Sequence, residues 1–206
     1  INIPPKLGMA IGIMISDPRP VEVKIGIRAM RVVAVVLSFV GLVRPRWGLY
    51  IVVVLILSND LIKRLGVYYG VANMMIVIEV MAVPPIVASF SFLGAYVKRL
   101  SDPHLKFTKG DKSRTLIAFM MAVIFTGGVA LSGSVIGTLQ YTATGAVYMF
   151  LIPVIPMLFN GKKEVFAFIT FIVFCTLPVA LYGLKQSFFG FADFEIFYNE
   201  SGLGAD

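Results

Sequence analysis

Basic side chains at the ends of apolar runs are the residues of this sequence whose type and spacing could do chemistry. Arg28 and Arg31 stand three apart, which puts both guanidinium groups on one face of a helix. Lys63 and Arg64 stand beside Asp60 at the end of another apolar run. Each pair could clamp a phosphate, because guanidinium and ammonium groups donate charge-assisted hydrogen bonds to anionic oxygens. The alternative is that their charged ends reach only lipid headgroups.

Gln186 lies in a second stretch whose residues could do chemistry, the aromatic and glycine-rich segment 180–191. Aromatic side chains beside an amide and the carboxylates of Asp193 and Glu195 could form a platform for sugar rings. An aromatic belt at a membrane surface would explain the Phe and Tyr residues equally well, but it explains the glutamine less well.

Motifs of soluble enzymes are missing from the sequence, including the phosphate-binding loop, the nucleophile elbow and the zinc-binding H-E-x-x-H pattern. The lone histidine, His104, has no Cys, Glu or second His near it, and the lone cysteine, Cys175, sits in an apolar run. We therefore expect no metal and no cofactor.

Apolar runs of membrane-spanning length must position these side chains. The 206 residues are 58% hydrophobic and only 14% charged. Stretches 116–140, 141–160 and 165–184 are uncharged and follow one another almost without a break. About 20 apolar residues cross a bilayer as a helix, the form that satisfies its own backbone there. The sequence therefore predicts an all-α, polytopic bundle of transmembrane helices with membrane lipid as a partner.

The basic residues of the second half alternate between the two sides of the predicted membrane. Segment 98–115 holds six of them and segment 160–164 holds two, whereas the tail after 184 is acidic. Lys and Arg are retained on the cytoplasmic side, so we expect 98–115 and 160–164 there and the tail outside. The same pattern explains the net charge of +7 without a nucleic-acid partner.

We expect about six spans in one transmembrane domain, at 25–43, 47–65, 71–97, 116–139, 141–159 and 165–184. Span 71–97 contains Pro84 and Pro85, which should kink or break it. It also contains Glu79, which must face the bundle interior or a cavity or be protonated, and which could serve as a relay or ion site or bind a buried partner such as an arginine. The small residues of 133–137 predict close helix packing, extended by Gly127 and Gly128.

The first third of the chain gives weaker signals. Segment 21–28 alternates with period two, but a lone strand cannot sit in lipid, so we interpret it as an interfacial stretch leading into a helix. Segment 7–15 is too short to span and looks interfacial. Basic residues flank 25–43 on both sides, so its orientation stays open. Because the chain opens with Ile1 and stops in a polar tail, we expect a fragment of a longer protein.

Two separated stretches resemble bacterial O-antigen ligases and polysaccharide polymerases. One is YGLKQ at 182–186 with FGF at 189–191 and FE at 194–195, which is similar to a helix end and outer loop of that family. The other is RPRWGLY at 44–50 followed by DLIKR at 60–64, which is similar to an early helix of the family.

This resemblance implies an integral glycosyltransferase of the bacterial inner membrane. Such a protein takes a glycan from a polyprenyl-pyrophosphate carrier and joins it to a glycan or lipid acceptor on the outer side. The family uses no nucleotide sugar and no metal, and its main catalytic residues lie in a large external loop that this sequence does not reach. The resemblance thus offers Lys63, Arg64 and Gln186 as candidates along the donor or acceptor path, and no catalytic residue.

Two other readings of the sequence stay open. One is a transporter or flippase with a midplane site at Glu79 and a helix broken at Pro84 and Pro85. The other is a small, non-enzymatic membrane subunit that packs against a larger membrane-protein partner.

Overall fold

A computed structural model describes residues 20–70, 72, 74–102, 108–131, 145–159 and 161–201, with the side chains of 20–27, 30, 74 and 75 excepted. Every regular element in these residues is a helix, and they contain no strand, which confirms the predicted all-α class. The helices are α1 (Pro20–Val43), α2 (Pro45–Tyr68), α3 (Met74–Ser101), α4 (Lys109–Ala130), α5 (Val147–Met149), α6 (Leu151–Leu158), α7 (Lys162–Phe189) and α8 (Asp193–Glu200).

Local sequence signals define several helix ends. Pro45 occupies the first turn of α2, where its missing N–H leaves no hydrogen bond unmade. Thr108 caps α4, because its hydroxyl accepts from the Asp111 N–H while the Asp111 carboxylate accepts from the Thr108 N–H. Gly190 ends α7 with a φ of 78°, a left-handed conformation that glycine adopts without strain.

The core lies between α2, α3, α6 and α7. Leu49, Val52 and Val87 are almost fully buried there, and Phe168 of α7 packs against the same cluster. Gly94 lets α3 approach α1 closely, since a Cβ atom at this position would lie 2.3 Å from the carbonyl oxygen of Leu42. These described helices thus assemble into one bundle through side chains and through this close contact.

Three of the described helices are long and apolar enough to cross a membrane: Ile76–Ser101 within α3, Lys109–Ala130, and Lys162–Phe189. The part of the chain that the structure describes thus has three candidate spans, which indicate a membrane protein, and the expected number of about six is not supported. Apolar stretches Arg31–Val43 and Val147–Leu158 are shorter than a bilayer requires. Helix α2 is continuous, but Asp60, Lys63 and Arg64 make its last third polar.

The helix bounds bear on two local predictions. Helix α3 runs through Pro84 and Pro85, so the break that was one of the two expected effects does not occur. Segment 21–28 is itself helical and belongs to α1, which begins at Pro20. Segments 7–15 and 133–137 and His104 lie outside the described residues.

One ion pair joins the first turns of α2 and α7, and their last turns meet on Glu195 of α8, so the two helices run parallel. Arg46 Nη1 lies 3.0 Å from Glu164 Oε1 at their first turns, and Arg64 and Gln186 share an acceptor at their last turns. Arg46 and Arg64 are about 27 Å apart along α2 at 1.5 Å per residue, close to the thickness of a hydrocarbon core. Arg46 thus lies at the same end of the bundle as the basic turn 160–164.

Candidate functional site

The candidate site lies where α2 and α7 end and α8 begins. Gly190 turns the chain at the end of α7, and α8 folds back against the last turns of α2. Spacing within each helix puts the polar groups on the facing sides: Tyr182 and Gln186 are four apart on α7, and Glu195 and Tyr198 are three apart on α8. One short helix thereby unites side chains that are far apart in sequence.

Glu195 is the centre of this cluster, and its carboxylate is engaged on both oxygens. The residue is 1% exposed. Its Oε1 accepts from the Arg64 guanidinium at 3.4 Å and from the Gln186 amide, and its Oε2 accepts from the Ala192 N–H at 2.8 Å. The bond to Ala192 also satisfies an N–H at the start of α8, where alanine has no side-chain oxygen of its own. Glu195 therefore fixes α8 to α2 and α7.

Asp60 holds the basic pair from the other side. Its Oδ2 lies 2.7 Å from Arg64 Nε, and its Oδ1 lies 2.9 Å from Lys63 Nζ. Two cations and two carboxylates, those of Asp60 and Glu195, thus balance within the cluster. The carboxylates differ in access to solvent, because the Asp60 side chain is 55% exposed and that of Glu195 is 1% exposed.

Aromatic rings complete the site. Lys63 Nζ and Arg64 Cζ lie 5.5 and 5.6 Å from the centre of the Tyr198 ring, within cation–π range. Tyr198 is 4% exposed and packs against Val67 and Val77, so α8 also closes a small hydrophobic cluster. These contacts hold both cations against an apolar wall.

Tyr182 presents a buried hydroxyl toward the same centre. Its oxygen makes no hydrogen bond within ordinary geometric limits to any described residue, yet it lies close enough to interact with the charges of Glu195 and Arg64. The sequence reasoning missed Tyr182 and Tyr198 and named Glu195 only as a neighbour. The signal available in the sequence was spacing, because Tyr182 lies four residues before Gln186 and Tyr198 lies three residues after Glu195.

The structure therefore brings the three candidate residues into one cluster. Arg64 and Gln186 meet on Glu195, and Lys63 joins them through Asp60. Chemically, the cluster holds two cations, an amide and a tyrosine hydroxyl around two carboxylates, the exposed Asp60 and the buried Glu195. An anionic or hydroxyl-rich ligand that replaces the exposed Asp60 carboxylate would meet both cations.

The other singled-out charges lie elsewhere. Arg31 Nη2 binds Glu79 Oε1 at 2.7 Å, so the glutamate of α3 pairs with an arginine of α1. Arg28 is exposed on the same helix. Among the described residues, no three His, Cys, Asp or Glu side chains converge in a way that could hold a metal ion.

Compared with models of known protein families, with characterised proteins and with solved structures, the chain matches none.

Proposed function

We propose that this chain is the membrane part of a glycosyltransferase of the O-antigen ligase and polymerase kind. It would lie in a bacterial inner membrane with about six passes and take a glycan from a polyprenyl-pyrophosphate carrier. The proposal is supported by one observation above all: the two stretches that carry the family resemblance, 60–64 and 182–195, meet on the buried carboxylate of Glu195.

The chemistry of the cluster favours a phosphorylated donor. Pyrophosphate is a strong anion, and its charge grows as the glycan leaves, so nearby fixed cations stabilise the transition state. Arg64 stays ionised in poor solvent, and its planar guanidinium matches anionic oxygens. Gln186 would then face the glycan, for which an amide is a suitable hydrogen-bond donor.

The difference in exposure between the two carboxylates suggests how a donor would enter. Asp60 is 55% exposed and can be displaced from Lys63 and Arg64, whereas Glu195 is buried and fixed by a backbone N–H. A pyrophosphate that takes the place of Asp60 would keep Arg64 anchored through Glu195. Lys63 and Arg64 would thus be donor-binding residues, while Glu195 would be a positioning residue.

Replacement of Arg64 in the complete protein tests this function. Arg64→Ala should reduce glycan transfer in membranes by about a hundredfold, the usual loss when one charge-stabilising donor is removed. Lipid-linked glycan should accumulate, and transfer is compared per molecule of membrane protein, because loss of the ion pair to Glu195 also lowers stability. Lys162→Ala is the control, because it removes one exposed positive charge at the opposite end of α7. Equal transfer by the two variants at equal abundance would contradict the proposal.

Asp60→Asn separates a binding role from a structural one. If a donor displaces Asp60, this variant should bind the donor more tightly and lower KM, since the competing charge is gone. A purely structural ion pair predicts lower thermal stability with an unchanged KM.

A chain that moves a small solute across the membrane and transfers no glycan would support the transporter reading. If the isolated chain shows neither activity, that result would support its interpretation as a subunit of a larger complex.

A further inference from the structure

An apolar groove lies at the other end of the bundle, between α3, α4 and the start of α6. Its volume is about 430 Å³, within the roughly 300–1,000 Å³ of ligand pockets in proteins. The residues that line it are Tyr96, Lys112, Thr115, Leu116, Phe119 and Phe150. The Tyr96 and Thr115 hydroxyls lie 3.1 Å apart and hydrogen-bond to each other, so these two polar groups of the lining are paired. The rest of the groove lining is chiefly hydrocarbon surface.

Lys112 provides a cation at the mouth of this groove. It is exposed, and it takes part in none of the ion pairs formed among the described residues. The nearest acidic residue in sequence, Asp111, is already engaged: its Oδ2 binds Arg99 and the Thr108 N–H, and its Oδ1 lies 3.5 Å from Arg114. The ammonium group of Lys112 therefore remains available for an external anion.

The cation and the groove follow one another along α4 in the order of the headgroup and acyl chain of a phospholipid. Lys112 lies in the polar first turns of α4, whereas the apolar run begins at Leu116. Phe119 is about 10 Å further along the helix at 1.5 Å per residue. A ligand with a charged head and a long apolar tail fits this order, and a small soluble anion would leave the groove empty.

We infer that this groove binds one acyl chain of an anionic phospholipid, with the headgroup phosphate on Lys112. The surrounding charge supports an anionic lipid over a zwitterionic one, because Lys98, Lys109 and Arg114 belong to the same basic end of the bundle. This inference is independent of the proposed function, since the groove lies at the opposite ends of the helices from Glu195.

Native mass spectrometry of the purified, delipidated chain tests the headgroup contact. Phosphatidylglycerol should bind with one molecule per chain, and phosphatidylcholine with the same acyl chains should bind more weakly. Lys112→Gln should weaken phosphatidylglycerol binding about fivefold, the effect of one basic residue near a membrane surface, and should leave phosphatidylcholine binding unchanged. Lys109→Gln is the matched control, because it removes an exposed lysine of the same turn that does not line the groove.

Photo-crosslinking tests the acyl site. Phosphatidylglycerol with a diazirine on its acyl chain should label peptides that contain Leu116, Phe119 or Phe150, and Lys112→Gln should reduce this labelling. The inference is overturned if Lys112→Gln and Lys109→Gln bind phosphatidylglycerol equally, if the two lipids bind the unaltered chain equally, or if the label maps outside the groove.

Discussion

Glu195→Ala should release α8 from the bundle. The substitution removes a carboxylate that is 1% exposed and that accepts from Arg64, Gln186 and the Ala192 N–H. Breaking a buried ion pair from one side costs about 3–5 kcal/mol, but Arg64 keeps Asp60 as a partner and its side chain is 23% exposed. We therefore expect a loss of about 2–4 kcal/mol from the local stability of α8. Helix α4 should be unaffected, whereas the start of α3 should lose the packing of Val77 against Tyr198.

Amide hydrogen exchange in detergent or nanodiscs measures this loss helix by helix. At about 1.4 kcal/mol per tenfold change, protection of α8 should fall between about thirtyfold and several hundredfold. Glu200→Ala is the control, because it removes an exposed carboxylate of the same helix and should change stability by no more than about 0.5 kcal/mol. Equal protection of α8 in the two variants would refute the reasoning that Glu195 fixes this helix.

Two further predictions address the bundle itself. Gly94→Ala should lower the free energy of unfolding by about 1–3 kcal/mol, because its Cβ would press on the carbonyl of Leu42. Gly127→Ala has open space around it and should raise the free energy of unfolding by up to about 1 kcal/mol. Thermal unfolding in one detergent compares the two variants, and equal midpoints would contradict the close contact. With Cys175 changed to serine, a membrane-impermeant maleimide on intact cells should label a cysteine at Asn199 and spare one at Lys109; the reverse pattern would invert the predicted orientation.

Composition was sufficient to predict the helical class, but it could not count the spans. Helix α2 illustrates why: its apolar first half predicts a span, while its last turns contain Asp60, Lys63 and Arg64. Whether such residues face lipid or one another is decided by α7 and α8, which are more than a hundred residues away. The orientation of α1 stays open for a similar reason, since the basic residues on both sides cancel.

The candidate site could be predicted in part, because residue type alone singled out Lys63, Arg64 and Gln186. The sequence could not identify their buried partner, the Glu195 carboxylate on which Arg64 and Gln186 meet. Glu195 belongs to a polar helix of eight residues, and its burial arises only after Gly190 turns the chain back on itself. The same limit applied to Glu79, where a partner was expected on physical grounds but Arg31 could be identified only from the packing of α1 on α3.

The paired ends of α2 and α7 make this bundle sensitive to bilayer thickness. A single helix adapts to a thicker or thinner membrane by tilting, at a cost of fractions of a kcal/mol per ångström. Two parallel helices bridged by Arg46–Glu164 at one end and by Arg64 and Gln186 on Glu195 at the other must tilt together. Hydrophobic mismatch would therefore reach the Glu195 cluster directly, and the lipid chain length of the host membrane becomes a determinant of its geometry.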